Sequence, residues 1–308
     1  AYDNGPQQTF FNINKFSMKI QNNGFFDWNG TRLGSSGHFP KHAGNIVFTE
    51  GIIWGGKVSD KFGVDANGAI LTDGSGSGVP LIRVNGSMYN TGLKAGKVLR
   101  DADDKIKTSG YSEDFRNQQI WRVRPDWKIA DLTDNASIDY NLSPELLSTN
   151  DIEAVRSQYQ HDWEEWPANE GAPFVDSNGD GIFTPPTWDG NKWVGDLPGV
   201  ENAGQTIWTV FNDLPDEYDG SGQPVSVSEN GWGSPPIGIE MQMTIWGYNS
   251  VAIIDQVIFK KIRLIYTGLP GGSADAKVDS FYLTQFVDPD IGDHTDDFAG
   301  VDTLLNMG

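Results

Sequence analysis

The chain has 308 residues, a formal net charge of −20, 37% hydrophobic and 12% aromatic residues, and no cysteine. That length buries a large core, while the missing cysteine excludes disulfides, thiolate metal sites and cysteine nucleophiles. A sequence pI near 4.4 argues against nucleic acid as a partner, and no stretch approaches the ~18 uninterrupted apolar residues of a membrane-spanning segment.

In chain order, Phe11, Ile13, Phe16, Met18 and Ile20 predict an opening strand with an interruption, and Ile46-Val47-Phe48 and Ile52-Ile53-Trp54 flank Glu50-Gly51. Ala69-Ile70-Leu71 and Pro80 to Val84 flank the flexible run Asp73 to Gly78. Gln119 to Arg124 alternates, with Trp121 and Val123 on one parity. Ser143-Pro144-Glu145 reads as a helix start with proline at the first position. Asn150 to Arg156 reads as two to three helical turns. Gln205 to Phe211 is a further strand. From Ile237 to Trp246 every second residue is apolar, which predicts a half-buried antiparallel strand. Val251 to Tyr266, broken by Asp255, and Val278 to Val287 follow. Strand after strand with little helix predicts an all-β chain, an antiparallel β-sandwich or jelly-roll with one short helical segment near residues 143–160.

Charge is divided unevenly. Residues 1–150 carry 16 Lys+Arg and 16 Asp+Glu; residues 151–308 carry 6 and 26. A neutral β-rich region, 1–150, therefore precedes an acidic one, 151–308, with a soft boundary. The acids cluster twice. In Asp176-Ser177-Asn178-Gly179-Asp180-Gly181, side-chain oxygens recur at alternate positions before a glycine, the pattern by which a loop wraps calcium. Asp176, Asn178, Asp180 and the Ile182 carbonyl are the expected ligands. Position twelve is Thr187, and Pro185-Pro186 forbids an exiting helix, so the bidentate ligand is supplied from elsewhere; Glu164, Glu165, Glu170 and Asp196 are nearby in sequence. The second cluster holds Asp288, Asp290, Asp293, Asp296 and Asp297, with Asp302 beyond. Like charges so close repel, and a second calcium, a lysine partner or full solvation must relieve them. The bland alternatives are an Asx turn without an ion and a solvated acidic loop.

Trp163, Trp166, Trp188 and Trp193 are candidates for stacking on sugar rings, and the many carboxylates allow a glycosidase pair; the bland reading packs those tryptophans inward. His38 and His42 are separated by Phe39-Pro40-Lys41, which removes the helical spacing of a zinc pair. No nucleophile elbow, phosphate loop or nucleotide fingerprint occurs, so no catalytic residue is assigned. Asn29, Asn85, Asn135 and Asn141 open N-glycosylation acceptor patterns. The start at Ala1 is what signal-peptide removal leaves.

Further strings carry a resemblance. Phe39-Pro40-Lys41 leads to Gly51-Ile52-Ile53-Trp54-Gly55-Gly56-Lys57-Val58; Trp166-Pro167 leads to Gly171-Ala172-Pro173-Phe174-Val175-Asp176. Gln205-Thr206-Ile207-Trp208 with Asn212-Asp213, then Pro236 to Glu240, then Asp288 to Asp293 running to Asp302, complete the order. Together they resemble the N-terminal region of large secreted surface proteins of Bacteroidota and related bacteria, which usually end in a type IX secretion sorting domain. No such domain is present here, and the resemblance implies chain beyond Gly308. It implies an extracellular or cell-surface location rather than an activity. The expected function is a calcium-stiffened structural or adhesive module, a subunit of a surface layer or filament whose partners are copies of itself or other surface proteins. The alternative is a secreted protein that binds or cleaves polysaccharide.

Overall fold

Trp, Ile, Val and Thr crowd the segments that pair most extensively, because branched and aromatic side chains fit a pleated surface. A computed structural model describes residues 7–27, 37–60, 62, 81–88, 93–111, 115–214, 235–250, 253–291, 295, 297, 300 and 303–304. In chain order the elements used below are β1 (Gln8–Phe11), β2 (Met18–Gln21), β3 (Phe25–Phe26), β4 (Asn45–Ser59), β5 (Leu81–Gly86) and β6 (Trp121–Val123). Next come α1 (Thr133–Tyr140), α2 (Thr149–Glu164), β7 (Thr187–Trp188), β8 (Trp193–Val194) and β9 (Gln205–Asn212). The last three are β10 (Ile239–Gly247), β11 (Phe259–Tyr266) and β12 (Lys277–Pro289).

Strand takes 40% of the described residues and helix 16%, and the fold is all-β. The first sheet runs β1-β2-β3-β4-β12, with β5 and Gly37–His38 also on β4. The second runs β6-β9-β10-β11, with Lys94–Ala95 on β9. Every pairing is antiparallel, and both sheets draw strands from either side of residue 150. Between the sheets Ile20, Phe26, Ile52 and Trp54 meet Ile207, Phe211, Met241, Met243 and Ile245 in one buried cluster.

Several expectations change. The opening strand is two strands, β1 and β2, paired with Phe11 opposite Met18. The flanks of Glu50-Gly51 are one strand of 15 residues. Gly51 sits inside it because a Cβ there would lie 2.0 Å from the Ser87 carbonyl oxygen. β10 is not half-buried: Glu240, Gln242 and Thr244 are buried as well as the apolar positions. The segment before β11 is a 3-10 turn, Ile253–Gln256, rather than strand. Ala69-Ile70-Leu71 lies outside the described residues.

Helix is more extensive than one short segment. α2 has 16 residues and begins at a capping box, in which Ser148 Oγ accepts from Asp151 N and the Asp151 carboxylate accepts from Ser148 N. Its buried face, Val155, Tyr159, Asp162 and Trp163, has the spacing of one helical stripe. With Trp127, Leu132 and Ala136 that face covers Trp121, Val123, Trp208 and Val210 of the second sheet. α1 bridges the two sheets at their β1–β6 side: Arg122 of β6 donates to Asp139 of α1 (2.9 and 2.5 Å) and to the Phe10 carbonyl (3.2 Å). No helix among the described residues is long and apolar enough to cross a membrane.

The opposite flank differs. There β11 pairs only with β10 and β12 only with β4 among the described residues. The two edge strands are bridged through Glu50, whose carboxylate accepts from Lys260 of β11 and from Gln285 of β12. Ile258, Ile262, Leu264, Val278 and Phe281 line this flank half-buried against the core.

Candidate functional site

The Asp176–Ile182 loop wraps on its own oxygens. Asp176 Oδ1 accepts from Gly179 N and Oδ2 from Gly181 N, both at 2.7 Å. Asn178 Oδ1 accepts from Asp180 N (3.0 Å), Asn178 Nδ2 donates to Asp180 Oδ2 (2.9 Å), and Asp180 Oδ1 accepts from Ile182 N (2.7 Å). Gly179 and Gly181 have φ of 77° and 75°, the left-handed region that lets each turn close. The amide of Gly181, with that of Gly179, holds the Asp176 carboxyl below its ordinary 3.8.

One of the four acids considered as a fifth ligand reaches the loop. Asp196 is buried, and its two oxygens accept from Ser177 N and Thr184 N, both at 2.8 Å. Glu165 instead pairs with Arg116 (3.2 Å), Glu170 with Lys97 (2.6 Å), and Glu164 accepts from Gln160 (2.8 Å). The loop thus gathers two aspartates and an asparagine over a buried aspartate, all hard oxygen donors of the kind calcium takes. Each carboxylate oxygen that accepts one amide retains a second lone pair. Among the described residues no group of three or more His, Cys, Asp or Glu side chains is set to hold a metal ion.

The second acidic cluster is only partly described: Asp293, Asp296 and Asp302 lie outside the described residues. Asp288 belongs to β12, opposite Thr49. Asp290 N donates to the Ile46 carbonyl (3.0 Å), its carbonyl accepts from Asn45 Nδ2 (3.2 Å), and its Oδ1 is buried without a hydrogen-bond partner. Asp297 Oδ2 accepts from Ile291 N (2.9 Å).

Of the four candidate tryptophans, two are buried and two half-buried. Trp163 and Trp166 are 2% and 4% exposed, which removes them as stacking surfaces. Trp188 and Trp193 are half-buried on the β7–β8 hairpin. Trp193 packs against Trp163 (5.0 Å), Trp188 (5.1 Å) and Trp127 (5.9 Å) and donates to the Pro125 carbonyl (2.8 Å). The Lys128 ammonium stands 5.5 to 5.7 Å from the Trp127, Trp188 and Trp193 rings, a cation–π arrangement that the chain satisfies itself.

Sequence reasoning missed the buried charge centres. Asp213, fully buried, accepts from five donors: Gly238 N (2.9 Å) and Ile239 N (2.6 Å) on Oδ1; Ile237 N (2.9 Å), Trp54 Nε1 and Asn85 Nδ2 (both 3.2 Å) on Oδ2. Burial pushes its carboxyl up and the donors pull it down. Asp60 and Arg83 form a buried two-pronged pair at 2.7 and 2.8 Å. Asp162 accepts from Gln119, Gln158, His161 and the Arg122 amide. These centres clamp strand to strand and helix to sheet; none opens on a cleft among the described residues. His42 pairs with Asp134 at 2.5 Å rather than with His38. Comparison with family models, with curated proteins and with solved structures gives no match to this chain.

Proposed function

We propose that this chain is an extracellular structural module of a bacterial surface assembly, stiffened by calcium at residues 176–182, with other copies or other surface proteins as its partners. The observation that carries this reading is the flank that β11 and β12 form together. Two edge strands of 8 and 13 residues, β11 and β12, lie side by side over half-buried core side chains. Strands that end a sheet are where a further strand can add. The inward packing of the tryptophans weighs against a polysaccharide platform. The ordered strings shared with secreted surface proteins of Bacteroidota support the location. In this reading the chain has no turnover of its own.

Sedimentation velocity over a range of concentrations, with electron microscopy in calcium and in chelator, tests it. Concentration-dependent assembly, stronger in calcium, is expected. A monomer at every concentration, together with turnover on a polysaccharide panel that a single carboxylate substitution abolishes, overturns it and installs the polysaccharide-cleaving alternative.

A further inference from the structure

We infer that Lys260 and Glu50 condense to an amide, a covalent cross-link between β11 of the second sheet and β4 of the first that the folded chain forms by itself.

Both groups stand where the strand pattern calls for an apolar side chain. In β11, Lys260, Ile262 and Leu264 lie opposite Ile245, Met243 and Met241 of β10, and all of these but Lys260 belong to the core or pack on it. In β4, Glu50 shares the parity of buried Ile52 and Trp54 and is itself buried. The two side chains meet across the interior, where the Lys260 amine group donates to Glu50 Oε1. A buried ion pair recovers little beyond its own desolvation cost, so an apolar pair would hold the sheets as well. What an apolar pair cannot do is react.

The surroundings suit that reaction. Gln285 Nε2 donates to the other carboxylate oxygen of Glu50, Oε2 (3.0 Å). The buried Phe26 ring lies 5.4 Å from Lys260 Nζ and keeps water away. Asp27, the next residue, is buried, and its Oδ1 accepts from Lys19 N (3.0 Å). Burial, and after it the charge of Glu50, push the Asp27 carboxyl well above 3.8, although Lys260 and Lys19 pull the other way. A protonated acid is thereby favoured beside the pair.

Moving one proton turns the ammonium and carboxylate into an amine and a carboxylic acid, and a site shut off from water favours the uncharged forms. The Lys260 nitrogen adds to Cδ of Glu50, while Gln285 stabilises the charge that develops on Oε2. Asp27 gives its proton to the Oε1 hydroxyl, which leaves as water, and takes a proton back from the nitrogen. One N–Cδ bond forms and one Cδ–Oε1 bond breaks. Nothing is oxidised or reduced, and Asp27 ends as it began. Fixed contact between the reacting groups supplies an effective concentration of about 10⁵ M or more. The product closes a loop from residue 50 to residue 260 in a chain that has no cysteine to do so, which restricts the unfolded state as a disulfide would.

Intact-mass spectrometry of the purified full chain tests this. The expected mass is one water below the sequence mass, and proteolysis should release a branched peptide that joins the segments around Glu50 and Lys260. Lys260→Arg keeps the charge but not the nucleophilic amine. It and Glu50→Ala should show the full mass, and Lys260→Arg should melt about 10 °C lower. Asp27→Asn, checked for a cooperative melt, should leave a larger share of full-mass chain. A wild type that melts cooperatively at its full sequence mass overturns the cross-link. A water loss that survives in Lys260→Arg also overturns it, since cyclisation at an Asp-Gly step such as Asp180-Gly181 loses the same water. Wild-type conversion in Asp27→Asn removes Asp27 as the proton carrier.

Discussion

Replacing Asp213 by asparagine tests whether the five-donor carboxylate pins the two sheets together. The change keeps the volume but leaves one acceptor oxygen where there were two. With the amide oxygen at the Oδ1 site, the Ile237 amide and the Trp54 indole face a donor. The Asn85 amide can turn to offer its Oδ1, but only by giving up the bond that its Nδ2 donates to the Pro235 carbonyl. With the oxygen at the Oδ2 site, the amides of Gly238 and Ile239 are orphaned instead. Either way two buried donors lose their partner, at about 1–3 kcal/mol each. Removing a buried charge offsets part of this, leaving a net loss of about 3 kcal/mol, a large share of the ~5–15 kcal/mol that holds a typical domain. Urea titration followed by tryptophan fluorescence reads it as a lower midpoint at unchanged slope. Trp54→Phe removes one of the donors, so the double variant should fall short of additivity by about 1 kcal/mol. A loss below about 1 kcal/mol for Asp213→Asn, or strict additivity, would refute the account of Asp213 as the clamp.

Chelator should lower the melting temperature of the wild type but not of Asp180→Ala, since calcium at about a hundredfold excess over Kd adds roughly 3 kcal/mol to the fold that binds it; equal melting with and without chelator removes calcium from the 176–182 loop. The depressed Asp176 carboxyl contributes stability above its unfolded value of 3.8, lost as pH falls through the lower folded value, so chelator-sensitive melting should persist down to about pH 4. The hydrogen bond that His161 donates to the Asp162 carboxylate raises its imidazole above 6.5. That contribution is full below pH 6.5 and fades as pH rises through the folded value, a step that His161→Gln should erase from a plot of urea midpoint against pH. Gly51→Ala should cost about 2 kcal/mol or more, because its Cβ meets the Ser87 carbonyl oxygen at 2.0 Å and neither backbone yields cheaply. Calorimetry showing no loss would mean that β4 and the Ser87 segment separate freely.

Strands were legible where local pattern and burial agree. Alternation at 237–246 located β10, yet it predicted one wet face. Glu240, Gln242 and Thr244 are buried because the 168–171 turn and the start of the Val98–Arg100 strand close over that face: Glu240 accepts from Val98 N, and Gln242 donates to the Glu170 carbonyl. That cover comes from distant chain, which a window of ten residues cannot register. α2 ran longer than expected because polar Gln158, Gln160 and His161 mask the stripe of Val155, Tyr159 and Trp163. The Ser148-x-x-Asp151 capping box was the available start signal. α1 had no comparable signal: Leu132 occupies its N-cap position without a side-chain bond, and its end is set by Asn141 in the left-handed conformation.

The site was legible to a different degree. Alternating oxygens ending in glycine identified the 176–182 loop, and the same regularity produces its ring of side-chain-to-amide bonds. Asp196, twenty residues on, was one of four acids of equal standing in sequence; only the fold singles it out, by burying it beneath Ser177 and Thr184. The charge count behaves similarly. Sequence showed an acidic half with six cations but assigned them no purpose. The fold puts half of them on one strand, with Lys260 tying β11 to β4 through Glu50, Arg263 donating to Gln242 of β10, and Lys261 exposed. The base of the acidic half is thus gathered on β11, where two of its three cations hold the strand to its neighbours.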